Sequence, residues 1–250
     1  MIEDVTYGDD FRQTMDVYLP EKAEDPPVIL MVHGGAWAGG DKRTESVVAD
    51  KAAHWLRRGY VFVSVNTRLV PDAGPVAQAE DVARALAAAQ AMAGTWGGSA
   101  DRFVLMGHSS GAHLVSLLAA DPALAAAHGA KPWLGTVSLD AGAYDIVEIM
   151  GRGHADFFDR AFGADPAYWK RASPIHRLTG KPAPMLLVCS SLGGRSCAQA
   201  EAFAKAVGAK GGAADVLPVP LRHMAIDDDL GLPGEYTDGV DSFLKSLGLP

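Results

Sequence analysis

Cysteine is scarce: Cys189 and Cys197 are the only two in 250 residues. Their spacing is not that of a C-x-x-C redox or zinc motif. Such sparse use suits a reducing compartment, with Cys189 expected as a small hydrophobe inside a strand. Basic charge is also short, 22 Lys and Arg against 30 Asp and Glu, for a net charge of −8. Neutralising phosphates takes the opposite balance, so no nucleic-acid partner is expected, and an acidic membrane surface is disfavoured. No apolar run approaches the ~20 residues of a membrane span. The chain opens Met1-Ile2-Glu3-Asp4, acidic where a secretory signal is basic and then apolar, so the expected location is cytoplasmic. Among the eight histidines no pair has zinc-ligand spacing on one helical face. Neither a metal nor another cofactor is therefore expected. Internal repeats, low-complexity tracts and domain linkers are absent as well.

What is present is apolar material for one large core. Hydrophobic residues make up 48% of the chain and charged residues 21%, and the whole, 1–250, fits one α/β domain. Short apolar runs alternate with segments of helical period. Met15 to Leu19, Val28 to Val32, Tyr60 to Val65, Phe103 to Met106, Thr136 to Leu139, Met185 to Val188 and Val216 to Val219 read as strands. Val47 to Arg58, Val76 to Ala93, Ser110 to Ala120, Ala198 to Val207 and Thr237 to Leu247 read as helices. Strands alternating with helices imply a mostly parallel, right-handed wound central sheet with helices on both faces. From Ile146 to Pro184 no strand signal occurs, only charges and aromatics such as Phe157, Phe158, Tyr168 and Trp169. Segment 146–184 therefore reads as a small helical cap insertion over the strand ends; the alternative is a long connection packed on the surface.

Two glycine motifs end predicted strands. Gly107-His108-Ser109-Ser110-Gly111 fits G-x-S-x-G between a strand and a helix, where flanking glycines permit a sharp turn that presents the serine hydroxyl above the sheet. The amide of Ser110 then points from a helix start toward the oxygen of a tetrahedral intermediate. Upstream, His33-Gly34-Gly35-Ala36-Trp37 closes the strand from Val28. Gly-Gly there can be a mere turn, but its place above the same sheet end favours a second reading, in which the amides of Gly35 and Ala36 complete an oxyanion hole.

Together with Gly39-Gly40-Asp41-Lys42, Val65-Asn66-Thr67-Arg68-Leu69, the opening Arg12-Gln13-Thr14-Met15-Asp16-Val17-Tyr18, and Pro233-Gly234, these motifs resemble those of the HGG-type esterases and kynurenine-formamidase-like hydrolases of the α/β-hydrolase superfamily. The resemblance covers nearly the whole chain and is weakest in the cap. Thr67 stands where a tyrosine is expected, a change that bears on pocket shape. The resemblance implies an α/β-hydrolase fold and a nucleophile, acid, histidine order along the chain. Ser109 is then the nucleophile. His223, the only histidine beyond the last predicted strand, lies in the loop Pro220 to Met224 and is the general base. His33, His108 and His113 belong to the motifs and read as structural or pocket-lining.

The acid breaks the pattern. It is due after the strand Met185 to Val188, yet no Asp or Glu occurs from Cys189 to Cys197, and Glu201 falls inside a helix as a solvated residue. Asp140, ending the preceding strand at the same sheet edge, is the best replacement. The alternatives are that Asp140 caps a turn, or that water or a carbonyl orients His223. Asp145 reads as a helix cap, and Asp227, Asp228 and Asp229 as a solvated charge run. The activity the resemblance implies is hydrolysis of small carboxylic esters through an acyl-enzyme, with formamide hydrolysis of the N-formylkynurenine type as the second reading. A hydrolase fold that binds a ligand with little turnover is the third.

Overall fold

A computed structural model describes residues 1–22 and 24–250. Eight strands form one sheet in the order β1-β2-β4-β3-β5-β6-β7-β8. These are β1 (Ile2–Thr6), β2 (Thr14–Tyr18), β3 (Val28–Val32), β4 (Val61–Val65), β5 (Phe103–His108), β6 (Gly135–Leu139), β7 (Met185–Ser190) and β8 (Ala214–Val219). β2 runs antiparallel to both its neighbours, β1 and β4, and every other pair is parallel. The helices are α1 (Glu45–Leu56), α2 (Pro75–Met92), α3 (Ser110–Ala120), α4 (Pro122–Ala126), α5 (Ile146–Met150), α6 (Asp156–Phe162), α7 (Pro166–Arg171), α8 (Pro174–Arg177), α9 (Ser196–Ala209), α10 (His223–Asp228) and α11 (Glu235–Ser246).

β3, β4, β5 and β6 are buried at every position, because helices cover both faces of the parallel sheet and each strand must be apolar on both sides. The period-two alternation splits the core cleanly. Leu30, Val63 and Leu105 face α2, α3 and α9 through Leu86, Val115 and Phe203. Ile29, Met31, Phe62 and Met106 face α1, α10 and α11 through Trp55, Ile226 and Leu244.

The predicted strands and long helices all form, with boundaries displaced by at most two residues. The structure adds β1, and it places four short helices, α5 to α8, in the segment between β6 and β7. Two expectations are corrected. Cys189 is buried in β7 as expected but is not a free thiol, being joined to Cys197 in a disulfide. The pairing withdraws the support that sparse cysteine gave to a reducing compartment. Asp227 is not solvated: it is 2% exposed and 3.0 Å from the Lys51 ammonium. The reason is local, since α10 begins at His223 and helical period turns the residue four positions on toward the sheet. Among the described residues no helix is long and apolar enough to cross a membrane.

Candidate active site

The C-terminal ends of β3, β5 and β6 bring the site together. Ser109 follows β5 and caps α3 with φ 52° and ψ −117°, the strained geometry that a sharp strand-to-helix elbow imposes on the residue at its tip. The glycines around it are required by contact. A Cβ on Gly107 would stand 2.5 Å from the Gly111 carbonyl carbon, and one on Gly111 would stand 2.2 Å from the Val32 carbonyl oxygen. Helix α3 can thus lie directly on the end of β3. A Cβ on Gly34 would meet the Ser109 Cβ at 3.1 Å, so glycine there lets the loop after β3 approach the serine.

His223 is the first residue of α10 rather than a loop residue. The Ser109 hydroxyl donates to its Nε2 at 2.9 Å. Its Nδ1–H donates to Asp140 Oδ2 at 2.6 Å, and this acceptor fixes the tautomer, because an ionised carboxylate can only accept. Asp140 follows β6 and is 4% exposed. The structure therefore brings Ser109, His223 and Asp140 into one chain of hydrogen bonds. Burial pushes the Asp140 carboxyl up, but donors from His223, Ser196 and the Ser190 amide outweigh it and hold the group below its ordinary range. Among the described residues, six that are not glycine have positive φ, and four of them are Ala36, Trp37, Ser109 and Asp140. Backbone strain is thus concentrated around the cavity that these four residues line.

The amides of Gly35, Ala36 and Ser110 donate to no acceptor among the described residues, and all three residues line the same cavity as Ser109. The loop that carries Gly35 and Ala36 is braced from behind. Gln78 Nε2 donates to the Trp37 carbonyl at 2.9 Å. Asn66 accepts from the Lys42 amide at 2.7 Å and donates to Asp41 at 2.8 Å, which explains why Asp41-Lys42 and Asn66 accompany the glycine motif. Thr67 is buried beside this frame. Trp37 Nε1–H donates to His113 Nδ1 at 3.1 Å, and His113 Nε2–H donates to the Ala172 carbonyl at 2.7 Å. Complete burial drives His113 down to about 4, so it is neutral at neutral pH.

Beneath His223 lies a buried polar set that the sequence did not reveal. His108 Nε2–H donates to the His223 carbonyl at 3.0 Å, and its Nδ1 is 3.5 Å from Asp227, which pairs in turn with Lys51. Burial holds His108 below the ordinary imidazole range. The other undetected residues are Ser190 and Ser196, the donors to Asp140 Oδ1. Asp145 caps α5 as expected, accepting from the Glu148 amide at 3.0 Å. Glu201 is exposed on α9. The cavity above Ser109 is about 610 Å³, and Trp37, Val47, Met224, Phe157 and Phe158 line its apolar wall. Among the described residues no cluster of three or more His, Cys, Asp or Glu side chains is arranged to hold a metal ion.

Fold and site together define an α/β-hydrolase. The BD-FAE family matches residues 15–131, the stretch that carries both glycine motifs. The chain is similar in sequence to esterases and to a formamidase. It is 31% identical to esterase LipC of Mycobacterium tuberculosis over 75% of this chain and 50% of LipC. It is 26% identical to the kynurenine formamidase of Salmo salar over 58% of this chain and 47% of that enzyme. The chain thus spans about half the length of these relatives. A thermophilic esterase of Thermogutta terrifontis superposes with a TM-score of 0.80, covering 99% of this chain and 92% of that one at 19% identity.

Proposed function

We propose that the protein hydrolyses small carboxylic esters through an acyl-enzyme intermediate, with Ser109 as nucleophile, His223 as general base and Asp140 as the orienting acid. The observation that carries this reading is the unbroken hydrogen-bond path from Ser109 Oγ through the imidazole to the Asp140 carboxylate. His223 Nε2 takes the hydroxyl proton as Oγ attacks the ester carbonyl. Negative charge gathers on the carbonyl oxygen, where the free amides of Gly35, Ala36 and Ser110 receive it without rearrangement. The imidazolium returns its proton to the departing alcohol. Water then adds to the acyl-enzyme with the same base, and Ser109 is released with the acid product.

The segment 146–184 serves as a cap in this reading, because Phe157 and Phe158 of α6 reach the cavity and Trp37 packs edge-on against Phe162 at 4.7 Å. An apolar wall of this kind favours an acyl or aryl group over a charged one. Likeness to a kynurenine formamidase keeps a formamide substrate as the second reading, since both reactions use the same groups. Rates on p-nitrophenyl acetate, butyrate and decanoate, set against N-formylkynurenine, test the assignment. Ester turnover well above formamide turnover is expected. Preference for N-formylkynurenine would shift the assignment to the amide. A chain that neither turns over any of these nor reacts with a fluorophosphonate would be a binding protein instead. Cytoplasmic location, expected from the sequence, now competes with a disulfide that persists best in oxidising surroundings; the thiol state in freshly broken cells decides between them.

A further inference from the structure

The loop that should carry the acid is not idle. Asp140 has two carboxylate oxygens with separate duties: Oδ2 faces His223, while Oδ1 accepts from the Ser190 amide at 3.0 Å and from the Ser196 hydroxyl. The two donors flank the β7–α9 turn, Ser190 ending β7 and Ser196 opening α9. The Asp140 backbone is tied to the same place, its amide donating to the Val188 carbonyl at 2.9 Å. Ser190 also reaches the histidine segment, its hydroxyl donating to the Leu221 carbonyl at 2.7 Å. Between the two serines, Ser191 to Arg195 are exposed and include Gly193 and Gly194, both at positive φ with open space where a Cβ would stand. Such a stretch has little of its own to hold the two serines at a fixed separation. The covalent tie is the disulfide between Cys189, buried in β7, and Cys197, in the first turn of α9.

We infer that Ser196 is a positioning residue for the triad acid: with the Ser190 amide it clasps Asp140 Oδ1 so that Oδ2 is aimed at His223, and the Cys189–Cys197 disulfide keeps the clasp closed. The inference deepens the proposed hydrolase reading and rests on it for its kinetic consequences. A β6 aspartate reaches the histidine from one strand further in than the expected loop position. Asp140 directly follows the last residue of β6, with φ 53°, so its carboxyl needs fixing on the side away from the imidazole. The loop with no carboxylate of its own supplies that fixing through hydroxyl and amide. Two donors on Oδ1 also help keep the carboxylate ionised despite burial.

The test compares Ser196→Ala with Ser196→Thr, which keeps the hydroxyl, and with the double change Cys189→Ala, Cys197→Ala. Kinetics are measured on p-nitrophenyl acetate across pH, and the Asp140 carboxyl is titrated by carbon NMR in the resting protein. Ser196→Ala is expected to lower kcat about tenfold, the loss of one hydrogen bond to a charged group, with KM within about twofold. Its Asp140 carboxyl should titrate at higher pH, and the acid limb of kcat/KM should move the same way. Ser196→Thr should restore both. The cysteine double variant should lose a comparable factor alone, and little more when combined with Ser196→Ala. Unchanged kcat and an unchanged Asp140 titration in Ser196→Ala would overturn the clasp. Full activity in the cysteine variant would remove the disulfide from it. If the wild-type chain cleaves no ester, the hydrolase reading fails, while the Asp140 titration still accepts or rejects the clasp.

Discussion

Lowering the pH should destabilise the fold through one buried histidine that braces the HGGAW loop. His113 lies wholly buried between Trp37, at the end of the HGGAW motif, and the Ala172 carbonyl. Burial brings it from 6.5 to about 4 in the folded chain. An imidazole that stays neutral when folded but protonates when unfolded makes the unfolded state bind more protons in that interval. Stability from this group is therefore complete above pH 6.5 and falls as pH drops, until the folded form also protonates near 4. At ~1.4 kcal/mol per pH unit the total is about 3 kcal/mol, of which about 2 kcal/mol is lost between pH 7 and 5. His113→Gln retains an acceptor for Trp37 and a donor for Ala172 without a titrating group. Urea unfolding of both proteins at several values from pH 7.5 to 4.5 isolates the contribution. The variant is expected to be the less stable at pH 7, with the gap closing by about 2 kcal/mol by pH 5. Parallel curves across that range would refute the reasoning, because they would mean that His113 does not resist protonation.

Other substitutions probe the site and its frame. Ser109→Ala should abolish ester turnover by on the order of 10⁴-fold or more and remove fluorophosphonate labelling, with the unfolding midpoint nearly unchanged. Activity within about tenfold of wild type would mean another nucleophile. Gly111→Ala drives a methyl group to 2.2 Å from the Val32 carbonyl and should destabilise the fold by on the order of 3 kcal/mol or more, read from urea melts; a neutral change would contradict the close packing of α3 on β3. Asp145→Ala removes the α5 cap and should cost about 1 kcal/mol in the same assay with kcat preserved. A large loss of kcat would give Asp145 a role in the site that its cap geometry does not suggest.

Much of this architecture is legible in the chain because a parallel sheet covered on both faces writes its strands as unbroken apolar runs. Val28 to Val32 and Phe103 to Met106 are of that kind. β1 escaped because Ile2–Thr6 is an edge strand with four of its five residues exposed, so no apolar alternation marks it. The elbow and the HGGAW loop were readable from glycines whose necessity is steric. The contact of Asp140 with His223 was readable from the resemblance, which calls for an acid, together with sheet geometry, since β6 is the nearest strand end with a carboxylate. Its clasp was not, because Ser190 and Ser196 have no local signature and meet Asp140 only through tertiary contact. Asp227 looked solvated because three consecutive aspartates hide the helical turn that buries one of them. The cysteine pair is invisible for a similar reason: eight residues apart, it becomes a bridge only once β7 turns into α9.

The central claim is that a carboxylate from β6 completes the triad, and the turnover of Asp140→Asn tests it most directly. The amide keeps the size and shape of the side chain, but its NH₂ can face Nδ1 and favour the imidazole tautomer whose Nε2 carries the proton and cannot receive that of Ser109. In a well-characterised serine protease this change costs roughly 10⁴ in turnover, and a loss of that order is expected here on p-nitrophenyl acetate, with folding retained. Retention of activity within about tenfold of wild type would contradict the account: Asp140 would then be a turn-forming residue, and His223 would act on Ser109 with its ring held by water or a carbonyl.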